Sequence, residues 1–213
     1  MENKELRDKR REFLKTSALI AGGVFLNQFA FAGGHFSADD TIKIALIGCG
    51  DRGTGAAFQA LSTKENVKLV AMADAFQDRL DNSYKALSTK FKDKVDVPQD
   101  RRFVGFDGYQ KAIALADVVL LVTPPGFRPM HFEEAVKQGK HVFMEKPVAV
   151  DAPGIRKVLA TAEIAKQKKL NVVVGLQRRY QENYRESLKR IQDGAIGDIV
   201  GGQVYWNSGG VWV

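Results

Sequence analysis

The chain holds a single cysteine, Cys49, among 213 residues, so no intrachain disulfide can form. Its three histidines, His35, His131 and His141, are dispersed. With no second thiol and no closely spaced imidazoles, no metal site of the zinc type is expected. Charge of one sign is not concentrated. The formal net charge is +7, residues 1–32 supply +2 of it, and no block of like charge extends beyond Lys9-Arg10-Arg11. A nucleic-acid footprint needs a clustered basic patch, so a nucleic-acid partner is not expected. Strongly apolar runs of membrane length are also scarce. Thr16 to Ala38 is a stretch of 23 uncharged residues, but Gly22, Gly23, Asn27, Gln28, Gly33 and Gly34 dilute it, and a transmembrane helix is greasier. There is no internal repeat and no low-complexity tract. What remains is an ordinary globular composition, 45% hydrophobic and 27% charged, long enough for one or two domains with a sizeable core.

The most informative stretch is Ile42-Lys43-Ile44-Ala45-Leu46-Ile47-Gly48-Cys49-Gly50-Asp51-Arg52-Gly53. An apolar, β-branched run ends on a G-x-G-x-x-G loop, and a helix-compatible stretch follows from Thr54 to Leu61. Dinucleotide binding needs that order of strand, turn and helix. Gly48 permits the tight turn, Gly50 lets the backbone approach a pyrophosphate, and Gly53 lets the helix pack close to the strand. Asp51 and Arg52 lie where the helix N-terminus offers free N–H groups to phosphates. A second apolar run, Val67 to Ala73, ends on Asp74, 21 residues after Gly53. An acid at that spacing holds the adenosine ribose hydroxyls and repels a 2′-phosphate, which points to NAD(H) over NADP(H). Arg79, close by, could lie across the adenine or meet a phosphate, so NADP stays open.

The rest of the chain alternates strand and helix patterns. Strands are expected at 41–47, 67–73, 118–122, 141–144 and 172–174, the last read as the sixth of the sheet. Helices are expected at 54–62, 77–91, 109–115, 129–137, 153–168 and 182–192, and a further strand at 199–205. Residues 92–101, charged and carrying Pro98, read as a loop. Val118 to Val122 is apolar without alternation, as suits a strand buried on both faces. Gly139 follows the helix at 129–137 as a C-cap signal. This alternation is that of a doubly wound parallel α/β sheet, the Rossmann architecture, over residues 41–176.

A second constellation, Gly139-Lys140-His141-Val142-Phe143-Met144-Glu145-Lys146-Pro147, lies at the end of a strand. Ligands of open α/β sheets bind at the carboxyl ends of strands, which aims Lys146 at the crevice. A lysine beside a hydroxyl substrate can hydrogen-bond its oxygen and stabilise the charge changes of hydride transfer. To act as a base it needs burial or a neighbouring charge that weakens its hold on the proton. Cys49 reads as small and unreactive, and His141 as structural.

Lys9-Arg10-Arg11-Glu12-Phe13-Leu14-Lys15 resembles a twin-arginine export signal, Ser/Thr-Arg-Arg-x-Phe-Leu-Lys, departing only at Lys9. Ala30-Phe31-Ala32 fits an A-x-A cleavage site. Residues 1–32 are therefore expected to be a signal peptide and 33–40 a linker. The resemblance implies delivery by the twin-arginine export machinery to the periplasm.

Gly48 to Gly53, Asp74, Thr123-Pro124-Pro125 with His131, Gly139 to Val142 and Glu145-Lys146-Pro147 together resemble the Gfo/Idh/MocA family, named for glucose–fructose oxidoreductase, inositol dehydrogenase and a rhizopine-catabolism protein. The resemblance spans residues 42–205. It implies hydride transfer between a nicotinamide cofactor and a hydroxyl carbon of a sugar, cyclitol or related polyol. Carried over, Lys146 is the catalytic lysine, Glu145 positions the nicotinamide side, and Thr123 and Pro124 line it. His131 approaches the nicotinamide ribose or only packs. Arg179 and Tyr180, in Gln177-Arg178-Arg179-Tyr180, become substrate-side candidates. Gly197-Asp198-Ile199 resembles the entry to the family's second domain, so 177–213 reads as its incomplete beginning. That domain carries an Asp and His pair in the family, and its sheet implies a homo-oligomer for the full-length protein. Two other readings are an NAD-dependent glycoside-cleaving enzyme with transient redox and a non-catalytic dinucleotide- or sugar-binding member of the fold.

Overall fold

The computed structural model describes residues 41–207 and 209. The signal-peptide and linker readings on residues 1–40 lie outside them. Six strands form one parallel sheet: β1 (Ile42–Ile47), β2 (Val67–Asp74), β3 (Arg102–Val104), β4 (Val118–Leu121), β5 (His141–Met144) and β6 (Val172–Val174). Their order is β3-β2-β1-β4-β5-β6, and every pairing is parallel. The helices are α1 (Asp51–Leu61), α2 (Gln77–Lys90), α3 (Gly108–Ala114), α4 (Arg128–Lys137), α5 (Ala152–Gln167) and α6 (Glu182–Gln192). Strand order reverses between β1 and β4, and a crevice opens at such a switch point.

Residue alternation assigns each strand's side chains to one of two layers. Ala45 and Ile47 of β1, Val119 and Leu121 of β4, and Val142 and Met144 of β5 pack with Ile113 of α3, Phe132 and Val136 of α4, and Val158 of α5. Ile44 and Leu46 of β1 and Leu120 of β4 face the other way, against Ala57 and Leu61 of α1 and Leu80 and Leu87 of α2. A sheet covered on both faces requires apolar residues at consecutive strand positions, as the Val118-Val119-Leu120-Leu121 run shows. The C-terminus of α4 closes as expected. Gly139 takes a φ of 72°, its N–H donates to the Val136 carbonyl, and the Lys140 N–H donates to the Ala135 carbonyl.

Three expectations need correction. The first helix begins at Asp51, not Thr54, so Gly53 lies within its first turn. A strand at Arg102–Val104 follows the stretch read as a loop. It pairs with Met72 to Asp74 of β2, and its edge position, more than its own composition, makes it a strand. Residues 199–205 are not a strand. A strand's backbone groups need a neighbouring chain segment, and no described residue supplies one. The helix at 182–192, by contrast, forms as expected.

Candidate active site

The carboxyl ends of β1, β4 and β5 meet through backbone contacts. The Val122 N–H donates to the Ile47 carbonyl, and the Glu145 N–H donates to the Leu121 carbonyl. Gly48 sits where these ends converge. Its φ is 96°, and a Cβ there would lie 2.6 Å from the Thr123 nitrogen, so glycine is required by conformation and by space. A Cβ on Gly53 would lie 1.8 Å from the Gly48 carbonyl oxygen, which binds helix closely to loop. Gly50 differs. Its φ of −71° suits any residue, and a Cβ there would meet nothing within 4 Å. Nothing internal demands glycine at this position. The space in front of Gly50 suits the close approach of an external group, as a pyrophosphate makes. No side chain caps the helix at Gly50, so the first-turn N–H groups of α1 have no side-chain acceptor there.

Asp74, at the end of β2, is tied to that loop. One carboxylate oxygen accepts the Cys49 N–H at 2.6 Å, and the other accepts the Phe76 N–H at 3.0 Å. Each oxygen has a second acceptor site, so the carboxylate can still take ribose hydroxyls while holding the loop. Cys49 itself is buried, and its thiol donates to the Ala73 carbonyl at 3.5 Å. Burial first, and the Asp74 charge second, push its pKa well above the usual thiol range, so it stays protonated and unreactive. Arg79 and Asp51 are exposed, and neither side chain makes a hydrogen bond or ion pair among the described residues.

Glu145 and Lys146 diverge at the end of β5. Glu145 is only 6% exposed, and its carboxylate accepts from the Arg52 guanidinium of the glycine loop. A buried carboxylate needs such a partner. Arg52, expected to serve phosphates, thus also bridges the loop to β5. Room for this carboxylate comes from Gly175, just after β6, where a Cβ would lie 2.8 Å from a Glu145 oxygen. Lys146 is exposed, and its side chain is unpaired among the described residues. The Lys146–Pro147 peptide is cis.

The Thr123-Pro124-Pro125-Gly126 turn is carried by α4. The Phe127 N–H donates to the Pro124 carbonyl and the Arg128 N–H to the Pro125 carbonyl. His131 is 5% exposed, and its ring packs against Tyr109 at 4.2 Å and Phe127 at 6.1 Å between centroids. Its Nδ1 shares a 3.1 Å hydrogen bond with the Thr123 hydroxyl. The ring is packed on these aromatics and meets the crevice through Thr123. Burial, with the nearby Arg128 cation, lowers its pKa to about 4, so the ring is neutral near pH 7. Pro124 is exposed at the crevice rim. Arg179 and Tyr180 follow β6 on a 3₁₀ turn, both exposed, with Tyr180 donating its N–H to the Gln177 carbonyl. They share the carboxyl edge of the sheet with Lys146.

Sequence reasoning missed two residues. Gly175 gives no signal beyond being a glycine after a short strand. Arg128 looks like a surface arginine beside Pro129, yet it is 2% exposed.

A strand, glycine loop, helix and acid arranged in this order, with Lys146 two residues beyond β5, have a direct counterpart among known proteins. The model of the GFO/IDH/MocA oxidoreductase family, NAD-binding Rossmann fold, matches residues 42–176. The chain belongs to this family. Within the family it is similar to the inositol 2-dehydrogenase/D-chiro-inositol 3-dehydrogenase of Halalkalibacterium halodurans, 32% identical over 159 residues, covering 74% of this chain and 42% of that protein. It is also similar to a glycosyl hydrolase family 109 protein of Streptomyces coelicolor, 25% identical over 178 residues, 82% of this chain and 36% of that protein. Among solved structures, the scyllo-inositol dehydrogenase of Lactobacillus casei with bound NAD(H) and scyllo-inositol superposes with a TM-score of 0.61 at 30% identity, covering 75% of this chain and 43% of that one. The chain thus spans less than half the length of these family members.

Proposed function

We propose that this chain is the cofactor-holding part of a nicotinamide-dependent oxidoreductase acting on a hydroxyl carbon of a sugar, cyclitol or related polyol. The observation that carries the reading is the convergence of the Gly48–Gly53 loop, Asp74 and Lys146 at one end of the sheet. NAD supplies the site, when bound, with an acceptor for the hydride leaving the carbinol carbon. The chain's own residues do the rest. First-turn N–H groups of α1 would meet the pyrophosphate, Asp74 would take the ribose hydroxyls, and Thr123, Pro124 and Glu145 would bound the nicotinamide side. Lys146 reaches the substrate hydroxyl and stabilises the negative charge that builds on its oxygen as the hydride leaves carbon and the hydroxyl proton is lost to solvent. Arg179 and Tyr180 are the substrate-side groups on the same edge.

The experiment uses the full-length protein with NAD and a panel of inositols and aldoses, followed by nicotinamide absorbance. The expected result is NAD reduction with at least one inositol or aldose and formation of the matching ketone or lactone. A second reading, glycoside cleavage with hydride removed and returned within one turnover, is favoured by the similarity to the glycosyl hydrolase family 109 protein. It predicts glycoside cleavage with no net NAD reduction. A protein that binds NAD but does neither would be a binding module.

The twin-arginine resemblance at Lys9 to Lys15 supports export of the folded protein and cleavage near Ala32. Changing Arg10→Lys and Arg11→Lys together should hold the precursor in the cytoplasm; undiminished export would remove this part of the reading.

A further inference from the structure

We propose that Arg128 is a positioning residue for Lys146, a role that rests on reading Lys146 as the lysine at the reacting oxygen. Arg128 begins α4, where its guanidinium is turned inward among the ends of β4 and β5. One terminal nitrogen, Nη1, donates to the Glu145 carbonyl at 2.6 Å and also to the Pro147 carbonyl. Nη2 donates to the Thr123 carbonyl. The two residues flanking Lys146 are therefore held by the same nitrogen, and the turn lining the opposite side of the crevice is held by the next. Lys146 has no side-chain partner of its own among the described residues. Its aim is set by its backbone, and Arg128 sets that backbone.

The chemistry of the clamp is specific to arginine. A planar guanidinium presents several N–H donors in a fixed fork and can serve three carbonyls at once. A lysine ammonium donates from one atom and cannot span Thr123 and Pro147 with the same geometry. Nε of Arg128 is buried without a partner, so the group is placed for its two terminal nitrogens. One turn along α4, His131 holds the Thr123 hydroxyl, so a single helix face secures both the backbone and the side chain of that turn. A side chain that orders the crevice walls acts on geometry at the reacting atom, where a displacement of about 1 Å costs on the order of a hundredfold in rate.

The test uses the full-length enzyme with Arg128→Lys and Arg128→Gln. Five quantities are measured: thermal midpoint, NAD affinity, kcat and KM for the polyol that the wild type oxidises best, and the ¹³C chemical shift of methylated Lys146, assigned with Lys146→Arg. The expected result is a folded Arg128→Lys protein with NAD affinity within about threefold, kcat lower by roughly ten- to a hundredfold, KM moved less, and a displaced Lys146 ¹³C signal. In a Lys146→Ala background the same change should lower kcat little further, because the lysine it positions is gone. A folded variant with wild-type kcat and an unmoved Lys146 ¹³C signal overturns the proposal. So does a loss of kcat that only parallels lost NAD affinity, or failure of both variants to fold while Lys146→Ala folds. If the wild type oxidises no polyol, the functional reading fails, but the Lys146 ¹³C signal in the Arg128 variants still decides this one.

Discussion

Residues 42–176 and residues 177–207 follow one another in the same chain and are built differently. In the first region strands are buried on both faces, and side chains such as Leu46, Leu120 and Ile113 are almost wholly covered. In the second, α6 has no buried residue, and Tyr184, Leu188, Ile199, Val204 and Trp206 are exposed. Yet α6 is still a helix, whereas Ile199 to Tyr205 is not a strand. A helix satisfies its backbone within itself. A strand needs a neighbour, and apolar β-formers such as Val200 and Val204 do not replace one. The contrast teaches that a strand pattern in sequence is conditional on a partner in a way that a helix pattern is not.

The sharpest difference between the regions is expected at the crevice end of the first. Lys146→Ala in the full-length protein should lower turnover by roughly two to four orders of magnitude. NAD affinity should change little if, as proposed, the Gly48–Gly53 loop and Asp74 hold the cofactor. Lys146→Arg should not restore turnover, because guanidinium is planar and larger. Near-normal turnover in Lys146→Ala would remove the catalytic role and with it the special status of that end of the sheet.

Next comes the core itself. Leu46→Ala should destabilise the chain by about 2–5 kcal/mol, read from denaturant unfolding, as a fully buried leucine does when a cavity is left. A loss below about 1 kcal/mol would mean that the sheet is packed less tightly than its burial implies.

The His131 layer adds a pH dependence to the first region. Its pKa in the folded protein is about 4 against an ordinary 6.5, so the unfolded chain binds the proton more readily. The stability this neutral ring contributes is whole above about pH 6.5 and is lost as pH falls through about 4. On the order of 3 kcal/mol is at stake. Unfolding curves between those limits should show the loss, and His131→Gln should flatten it. An equal slope in that variant would assign the acid sensitivity to other groups.

Asp74 tests the other wall of the crevice. Asp74→Ser should narrow the preference for NAD(H) over NADP(H) by about tenfold, the size of a hydrogen bond to a charged group. It should also loosen the Cys49 amide that the carboxylate holds. Tighter binding of NADP(H) by the unaltered protein would show that the acid does not discriminate.

The smallest effect is expected in the second region. Leu188→Glu on α6 should change the stability of this chain by no more than about 0.5 kcal/mol, as an exposed position does. A loss as large as that of Leu46→Ala would show that α6 is covered in solution, and the contrast between the regions would break.

Much of the site was legible because it is local. The glycine loop, the acid closing β2 and the lysine just beyond β5 each sit at the end of a patterned strand, so a residue's place along the chain predicts its place at the crevice. Other contacts gave no local sign. The pairing of Arg52 with Glu145 joins residues 93 positions apart. Arg128 has the composition of a surface residue, and only the packed ends of β4 and β5 turn it into a buried donor. His131 could be read as cofactor-facing or as packed, and the choice depends on Tyr109, Phe127 and Thr123 arriving around it.

By itself, then, the sequence determined the order of strands and helices, the two-sided burial of the central strands, and the positions of Gly48, Asp74 and Lys146. These follow from periodicity, turn chemistry and chain order, which act over a few residues. Tertiary structure alone decided that Arg102–Val104 is a strand, that 199–205 is not, that Lys146 stands exposed, and that one arginine holds Thr123, Glu145 and Pro147 together. Each of those depends on which distant segment supplies a hydrogen-bond partner or covers a side chain, and that is a property of the packed sheet and not of any stretch of residues within it.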